Sequence, residues 1–246
     1  MKKRLYNIPL DIIDRKEYFE LLEKYLQSGE THIISFVNAH CFNVAQKNKA
    51  YRNVLHTFSL VLNDGIGIEI GCRINGFKPR ENMNGTDLIP ETIIYAHSHG
   101  KKVFLLGGEE GIAVKAKTKL QEMNPELIVA GWHSGFFSEE QEEEVIQKIN
   151  SSNAEVLVVG MGVPKQELWA AEHKDKLKNV NILIPGGAIL DFLAGKYKRA
   201  PRIIQKIGLE WVVRLIQEPK RLAKRYIWGN IIYMYRIIAY KIAGFK

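Results

Sequence analysis

Asp64 follows an apolar run and precedes Gly65-Ile-Gly67 in VLNDGIGIEIGCRI, residues 61–74. A lone carboxylate there has three jobs open to it. As a helix cap it would accept the first N–H groups of a helix beginning near Ile66. As part of a dinucleotide fingerprint it is poorly placed, because Gly-x-Gly-x-x-x-Gly has one residue too many. As a general base it must be ionised and within hydrogen-bond reach of a nucleophile. Asn38 and His40 follow another apolar run, so Asn38, His40, Asn63 and Asp64 would form one polar cluster if the two strands are neighbours.

Two glycine-rich stretches add anion-binding chemistry. Gly160-Met-Gly162-Val-Pro164-Lys165-Gln166 reads as a strand end, a turn and a helix start. Backbone N–H groups at such a start favour an anion. Lys165 would add a point charge, and Gln166 a donor and an acceptor for a sugar or base. The same residues also make an ordinary helix start with Pro164 at its first position. Gly186-Gly187 precedes a short helix carrying Asp191, then Lys196, Lys198, Arg199 and Arg202. Those cations would hold a diphosphate or form a solvated loop. Gly107-Gly108 ends a further run, and Thr86 or Asp87 in NGTDL would cap the next helix. Zinc spacing, an Asp-x-Asp pair, a Gly-x-Ser-x-Gly elbow and a Walker lysine are all missing from the sequence, so no metal or cofactor is expected.

The elements that must position these groups alternate. Apolar β-rich runs lie at His32–Val37, Phe58–Leu62, Lys102–Leu106, Leu127–Ala130, Glu155–Val159 and Asn181–Ile184. Amphipathic stretches separate them at Lys16–Leu26, Asn38–Asn53, Leu88–His99, Gly111–Met123, Glu139–Asn150 and Gln166–Leu177. Near-continuous apolar strands between helices predict an α/β, doubly wound, Rossmann-like and mostly parallel sheet covered on both faces. Ligands in such folds sit beyond the carboxyl ends of the strands, where the glycines fall.

Residues 1–195 form the expected α/β domain, and 196–246 a basic helical appendage. The net charge is +8, yet Lys196–Lys246 alone carries 13 Lys and Arg against Glu210 and Glu218, so the rest is slightly acidic. After Pro201 the chain is basic, aromatic and apolar, and reads as two or three helices interrupted near Pro219 and Gly229. Its longest uncharged run, Tyr226–Tyr235, is ten residues, well short of the ~20 that span a bilayer. That composition suits a helix in an anionic membrane interface. It equally suits a cap packed on the domain. Nucleic acid is disfavoured for want of a reader motif. Two cysteines without metal spacing and an N-terminus without an apolar core predict a cytoplasmic protein; a homo-oligomer is compatible with the sequence.

The motifs, in this order, resemble the WecG/TagA/CpsF glycosyltransferases. The matching stretches are NAH 38–40, NDGIGI 63–68, NGTDL 84–88, GMGVPKQELW 160–169, GGAILDFLAGKYKRAP 186–201 and GLEWVVRLIQEPKRLAKRY 208–226. The resemblance implies an inverting transfer of a sugar, often N-acetylmannosamine, from a UDP-sugar to a polyprenyl-diphosphate-linked sugar for surface polysaccharide or teichoic acid. It implies that Asp64 is the base, that Asn38 shares its pocket and that Gln166 touches the nucleotide sugar. It also implies that the tail reaches a lipid substrate on the inner face of the plasma membrane, with Arg214, Arg221 and Lys224 at matching positions and Arg225 beside them. Two departures stand out. Relatives place an arginine near Asn82 and Met83, which leaves Arg80 as the substitute, and a threonine where this chain has Phe36. The alternative function is a nicotinamide-dependent oxidoreductase or epimerase of nucleotide sugars, which lacks the proper glycine spacing.

Overall fold

The computed structural model describes residues 1–244; Phe245 and Lys246, the end of the expected appendage, lie outside the described residues. The chain opens with a hairpin, β1 (Lys2–Leu5) and β2 (Ile8–Asp11), then α1 (Arg15–Gln27). Next come β3 (His32–Val37), α2 (Ala39–Lys47), α3 (Lys49–Leu55), β4 (Leu60–Asn63), α4 (Ile66–Ile74) and α5 (Gly85–Ser98). The second half runs β5 (Val103–Gly107), α6 (Ile112–Met123), β6 (Val129–His133), α7 (Glu139–Ser152), β7 (Val156–Gly160), α8 (Lys165–His173), β8 (Ile182–Pro185) and α9 (Ile189–Leu193). The tail holds α10 (Arg202–Lys206), α11 (Glu210–Gln217), α12 (Pro219–Ala223), a π-helical turn at Lys224–Trp228 and α13 (Gly229–Ile242).

Six strands form one parallel sheet in the order β4-β3-β8-β7-β5-β6. All six are those expected from the apolar runs, and the fold is the expected α/β one. Alternate strand residues feed opposite faces, as the two-residue period demands. Ile33, Val37, Phe104, Leu106, Leu157 and Leu183 join one core with Phe42 and Trp169. Ile34, Phe36, Leu105, Val158 and Ile184 join the other with Tyr18, Leu88 and Ile93. Each fully buried aliphatic or aromatic side chain contributes about 1.5–3 kcal/mol. From β3 the chain turns to the β4 edge, and from β5 to the β6 edge. This reversal opens a crevice at the carboxyl ends of the strands between them.

Several local expectations need correction. The β1–β2 hairpin was not expected; its turn places Tyr6 at φ 55°, the left-handed region usually given to glycine. Asn38–Asn53 is two helices, because extended Asn48 (φ −117°, ψ 102°) accepts Tyr51 N–H and caps α3. Pro164 precedes α8 rather than opening it, and Gly229 continues the helical rod rather than breaking it. The break near Pro219 is present, and Gly208 at φ 74° separates α10 from α11.

The last helix is packed on the body. Tyr233 and Ile237 are buried in the first core, Tyr233 donates to Gly67 O (2.9 Å), and Asn43 donates to Gly229 O (2.7 Å). A Cβ on Gly71 would overlap the Tyr233 hydroxyl, so glycine there lets α13 lie directly on α4.

Candidate active site

A cleft of about 720 Å³ lies at the carboxyl ends of the strands, lined from Asp64 at one side to Phe136 at the other. Tail residues Arg214, Arg221, Arg225 and Tyr233 line it too. It therefore joins the sheet edge to the basic segment.

Asp64 sits where β4 ends, its N–H continuing the strand ladder to Val37 O (2.9 Å). It caps nothing: Gly65 (φ 83°) occupies the cap position of α4 and no side chain caps that helix. Asp64 Oδ2 instead accepts Asn38 Nδ2–H at 3.2 Å. Asn38 is fixed in this orientation, because its Oδ1 caps α2 by accepting the N–H groups of His40 and Cys41, both at 3.1 Å. One residue therefore starts a helix and aims a donor at the carboxylate. Asp64 Oδ1 makes no hydrogen bond among the described residues. Burial raises the Asp64 pKa above the ordinary carboxylate range; the Asn38 hydrogen bond opposes this, Glu210 and Asp87 add to it, and Arg225 lowers it. His40 lines the cleft, and burial with the Arg225 charge pushes its pKa down to about 4, so its ring is neutral at pH 7.

The glycines allow close approach of backbone to backbone. A Cβ on Gly107, at φ 146°, would stand 2.5 Å from Gly160 O. Gly107 itself does not line the cleft, but Gly108, Gly160, Gly162 and Gly187 do. Gln166 also lines the cleft, yet its Oε1 is occupied by the N–H groups of Gly162 (3.1 Å) and Gly187 (2.9 Å). Lys165 lines the cleft, its Nζ 5.2 Å from the centre of the Phe137 ring.

The other expected residues divide. Arg199 faces the cleft but is paired with Asp87 and with Glu210 (3.0 Å). Arg214 stacks on Phe192 and Tyr197 at 4.4 and 4.8 Å and reaches Glu218 at 3.4 Å. Arg221 donates to the same Glu218 at 2.7 Å. Arg225 lines the cleft and is the cation that acts on both Asp64 and His40. Arg80 lies outside the cleft, paired with Glu17 (2.6 Å) and Asp14 (3.4 Å). Asn63, Arg202 and Lys224 are also not in the lining; Asn63 is buried and donates to Glu81 O at 2.8 Å. Where relatives are expected to carry an arginine, Asn82 lines the cleft and accepts Gly65 N–H at 2.9 Å. Lys196 of the expected cation cluster lines the cleft, and sequence reasoning missed Glu109, Phe136 and Glu210 as lining residues. Only the glycine pair Gly107-Gly108 beside Glu109 hinted at the first. Among the described residues no group of three His, Cys, Asp or Glu side chains is arranged to hold a metal.

Known proteins share most of this chain's length. Proteins of Staphylococcus aureus strains MW2, NCTC 8325 / PS 47 and MRSA252 are each 29% identical over 211 residues, covering 86% of this chain and 81% of the relative. Each bears the name N-acetylglucosaminyldiphosphoundecaprenol N-acetyl-beta-D-mannosaminyltransferase. The family described as glycosyl transferase WecG/TagA/CpsF matches residues 3–246. With practically its whole length inside that match, the chain belongs to the WecG/TagA/CpsF glycosyl transferase family.

Proposed function

We propose that this protein moves N-acetylmannosamine from a UDP-sugar to a polyprenyl-diphosphate-linked N-acetylglucosamine, with inversion, in the synthesis of a surface polysaccharide or teichoic acid. The observation that carries the reading is the Asn38–Asp64 pair (3.2 Å) in a cleft at the ligand-binding edge of the sheet. The names of the staphylococcal relatives support the acceptor and the sugar.

In this mechanism an acceptor hydroxyl attacks the anomeric carbon opposite the departing UDP. The new oxygen–carbon bond forms as the carbon–phosphate oxygen bond breaks, and the hydroxyl proton passes to Asp64 Oδ1. Attack opposite the leaving group inverts the anomeric centre. Asn38 holds Oδ2, and partial burial makes the carboxylate a stronger base than one in water. UDP leaves with ~1 additional negative charge, which preorganised cations stabilise best. Arg225 and Lys165 reach the cleft without an acidic partner among the described residues and suit that task, whereas Arg214 and Arg221 share Glu218. Arg199 is better suited to holding α11 against α5, given its pairs with Asp87 and Glu210. No metal is assigned a part.

The acceptor is lipid-linked in this reading, so the enzyme must reach a membrane. Among the described residues no helix is long and apolar enough to cross one. Trp228, Ile231, Ile232, Tyr235, Ile238 and Ile242 recur at helical spacing and are all exposed. After Glu218 the sequence contains no acid and seven Lys or Arg. An exposed apolar stripe beside a large excess of cations suits peripheral docking on an anionic cytoplasmic leaflet, at about 1 kcal/mol per nearby cation.

The test is a panel of UDP-sugars offered with a polyprenyl-diphosphate-GlcNAc analogue, following UDP release and the anomeric configuration of the product. UDP-N-acetylmannosamine should turn over fastest, giving the β-linked product. A different preferred sugar would refute the donor assignment, and a product of retained configuration would refute the single displacement.

A further inference from the structure

Two consecutive buried polar side chains lie under the cleft at the start of α8. Gln166 is 2% exposed and Glu167 is 1% exposed. Gln166 Oε1 accepts from Gly162 beyond β7 and from Gly187 beyond β8, at 3.1 and 2.9 Å. Gln166 Nε2 donates to Glu167 Oε1 at 2.8 Å. Glu167 Oε2 is buried without a hydrogen-bond partner among the described residues. Glu167 itself does not line the cleft.

The two ends of a glutamine amide have nearly the same shape and opposite hydrogen-bonding character. Turned the other way, the Gln166 NH2 would face two backbone N–H groups, donor against donor. An acceptor at the far end decides the orientation, and Glu167 supplies it. We propose that Glu167 is a positioning residue: its buried carboxyl fixes the Gln166 amide so that one oxygen ties the Gly162 and Gly187 turns into a single pocket floor. A carboxyl group accepts through Oε1 whether or not Oε2 carries a proton, so the tie survives titration while its strength changes. The titratable groups facing Glu167 are Cys41 on α2 and Tyr51 on α3. Burial keeps both neutral, the Cys41 thiol being pushed up to about 12.

The kinetic consequence of this role rests on the donor-pocket reading above; the structural consequence does not. The test is 15N NMR on the full chain as wild type, Glu167→Gln and Glu167→Met. In wild type the Gln166 side-chain NH2 signals should move with pH around a midpoint near 7, the value to which burial raises the Glu167 carboxyl. In Glu167→Gln that movement should vanish, while Gly162 and Gly187 amide exchange stays within about 3-fold of wild type. In Glu167→Met the same two amides should exchange at least ~10-fold faster, with Val158 in β7 unchanged, and KM for the UDP-sugar should rise more than kcat falls. A Gln166 amide indifferent to pH in wild type overturns the proposal, as does wild-type exchange at both glycines in folded Glu167→Met. Should Glu167→Met not fold, the wild-type titration and its loss in Glu167→Gln decide alone. If the amides behave as stated but no UDP-sugar turns over, the donor reading fails and the positioning role stands.

Discussion

Asn38 has two duties that one substitution separates. Its Oδ1 caps α2, and its Nδ2 donates to Asp64. Serine caps a helix about as well as asparagine, but its short side chain offers no second group to reach Asp64. Asn38→Ser and Asn38→Ala both forgo the bond to Asp64, so the cap alone separates them: Asn38→Ser should exceed Asn38→Ala in stability by about 1 kcal/mol. That margin is roughly 2–4 °C in melting temperature for a chain of this size. The bond lowers the Asp64 pKa against burial, so its removal raises that pKa further. A base works ionised: activity is present above its pKa and lost as pH falls through it. The acid limb of kcat against pH should thus move to higher pH in Asn38→Ser. Turnover on the plateau should change less than the limb does, because the carboxylate is ionised there. The assay is UDP release from pH 4 to 9 beside thermal melts of all three proteins. An unmoved acid limb in a stable Asn38→Ser protein would refute the coupling. So would a melting temperature as low as that of Asn38→Ala, by showing that the two duties are not separable.

Three further outcomes follow from the packing. Replacing Ile231, Tyr235 and Ile238 by Glu should abolish sedimentation with anionic vesicles while changing stability little, since all three are exposed; undiminished sedimentation would remove the docking face. Removing the whole tail is a poorer test, because Tyr233 and Ile237 belong to the core. Gly71→Ala should cost about 1–3 kcal/mol by overpacking against Tyr233 and hasten proteolysis of α13; wild-type stability would show that α13 does not bear on α4. Glu167→Gln should change the pH dependence of stability. The folded Glu167 pKa of about 7 exceeds the usual 4.5, so the folded state holds the proton longer, and wild type loses stability as pH rises between these values. The loss is on the order of 3 kcal/mol by pH 8. Denaturant melts at pH 5 and 8 should therefore show Glu167→Gln gaining on wild type at pH 8, and equal differences at both pH values would contradict it.

The sheet was legible because its strands are buried on both faces, which writes runs such as VFLL and VLVV into the sequence. The separate β1–β2 hairpin was not, because Lys2, Lys3 and Arg4 are exposed and the turn has no glycine. The neighbourhood of Asn38 and Asp64 followed from strand ends at a shared edge, and β3 and β4 do pair. Their hydrogen bond, and the absence of a cap at α4, depend on side-chain direction that spacing does not encode. Cations illustrate the same limit. Arg80, Arg199 and Arg225 look alike in sequence, yet only their acidic neighbours decide which is committed. Arg80 meets Glu17 and Arg199 meets Asp87 and Glu210. Gln166 likewise fitted a ligand contact until Gly162, Gly187 and Glu167 were seen to occupy it.

The central claim is that Asp64 takes the proton from the acceptor hydroxyl. Asp64→Asn keeps the shape of the side chain and can still accept from Asn38, but it has no basic oxygen. Turnover of UDP-N-acetylmannosamine with the lipid-linked acceptor should fall by ~100-fold or more, with UDP affinity measured by calorimetry unchanged. Wild-type turnover in that variant, with UDP bound equally well, would contradict the assignment of Asp64 as the base.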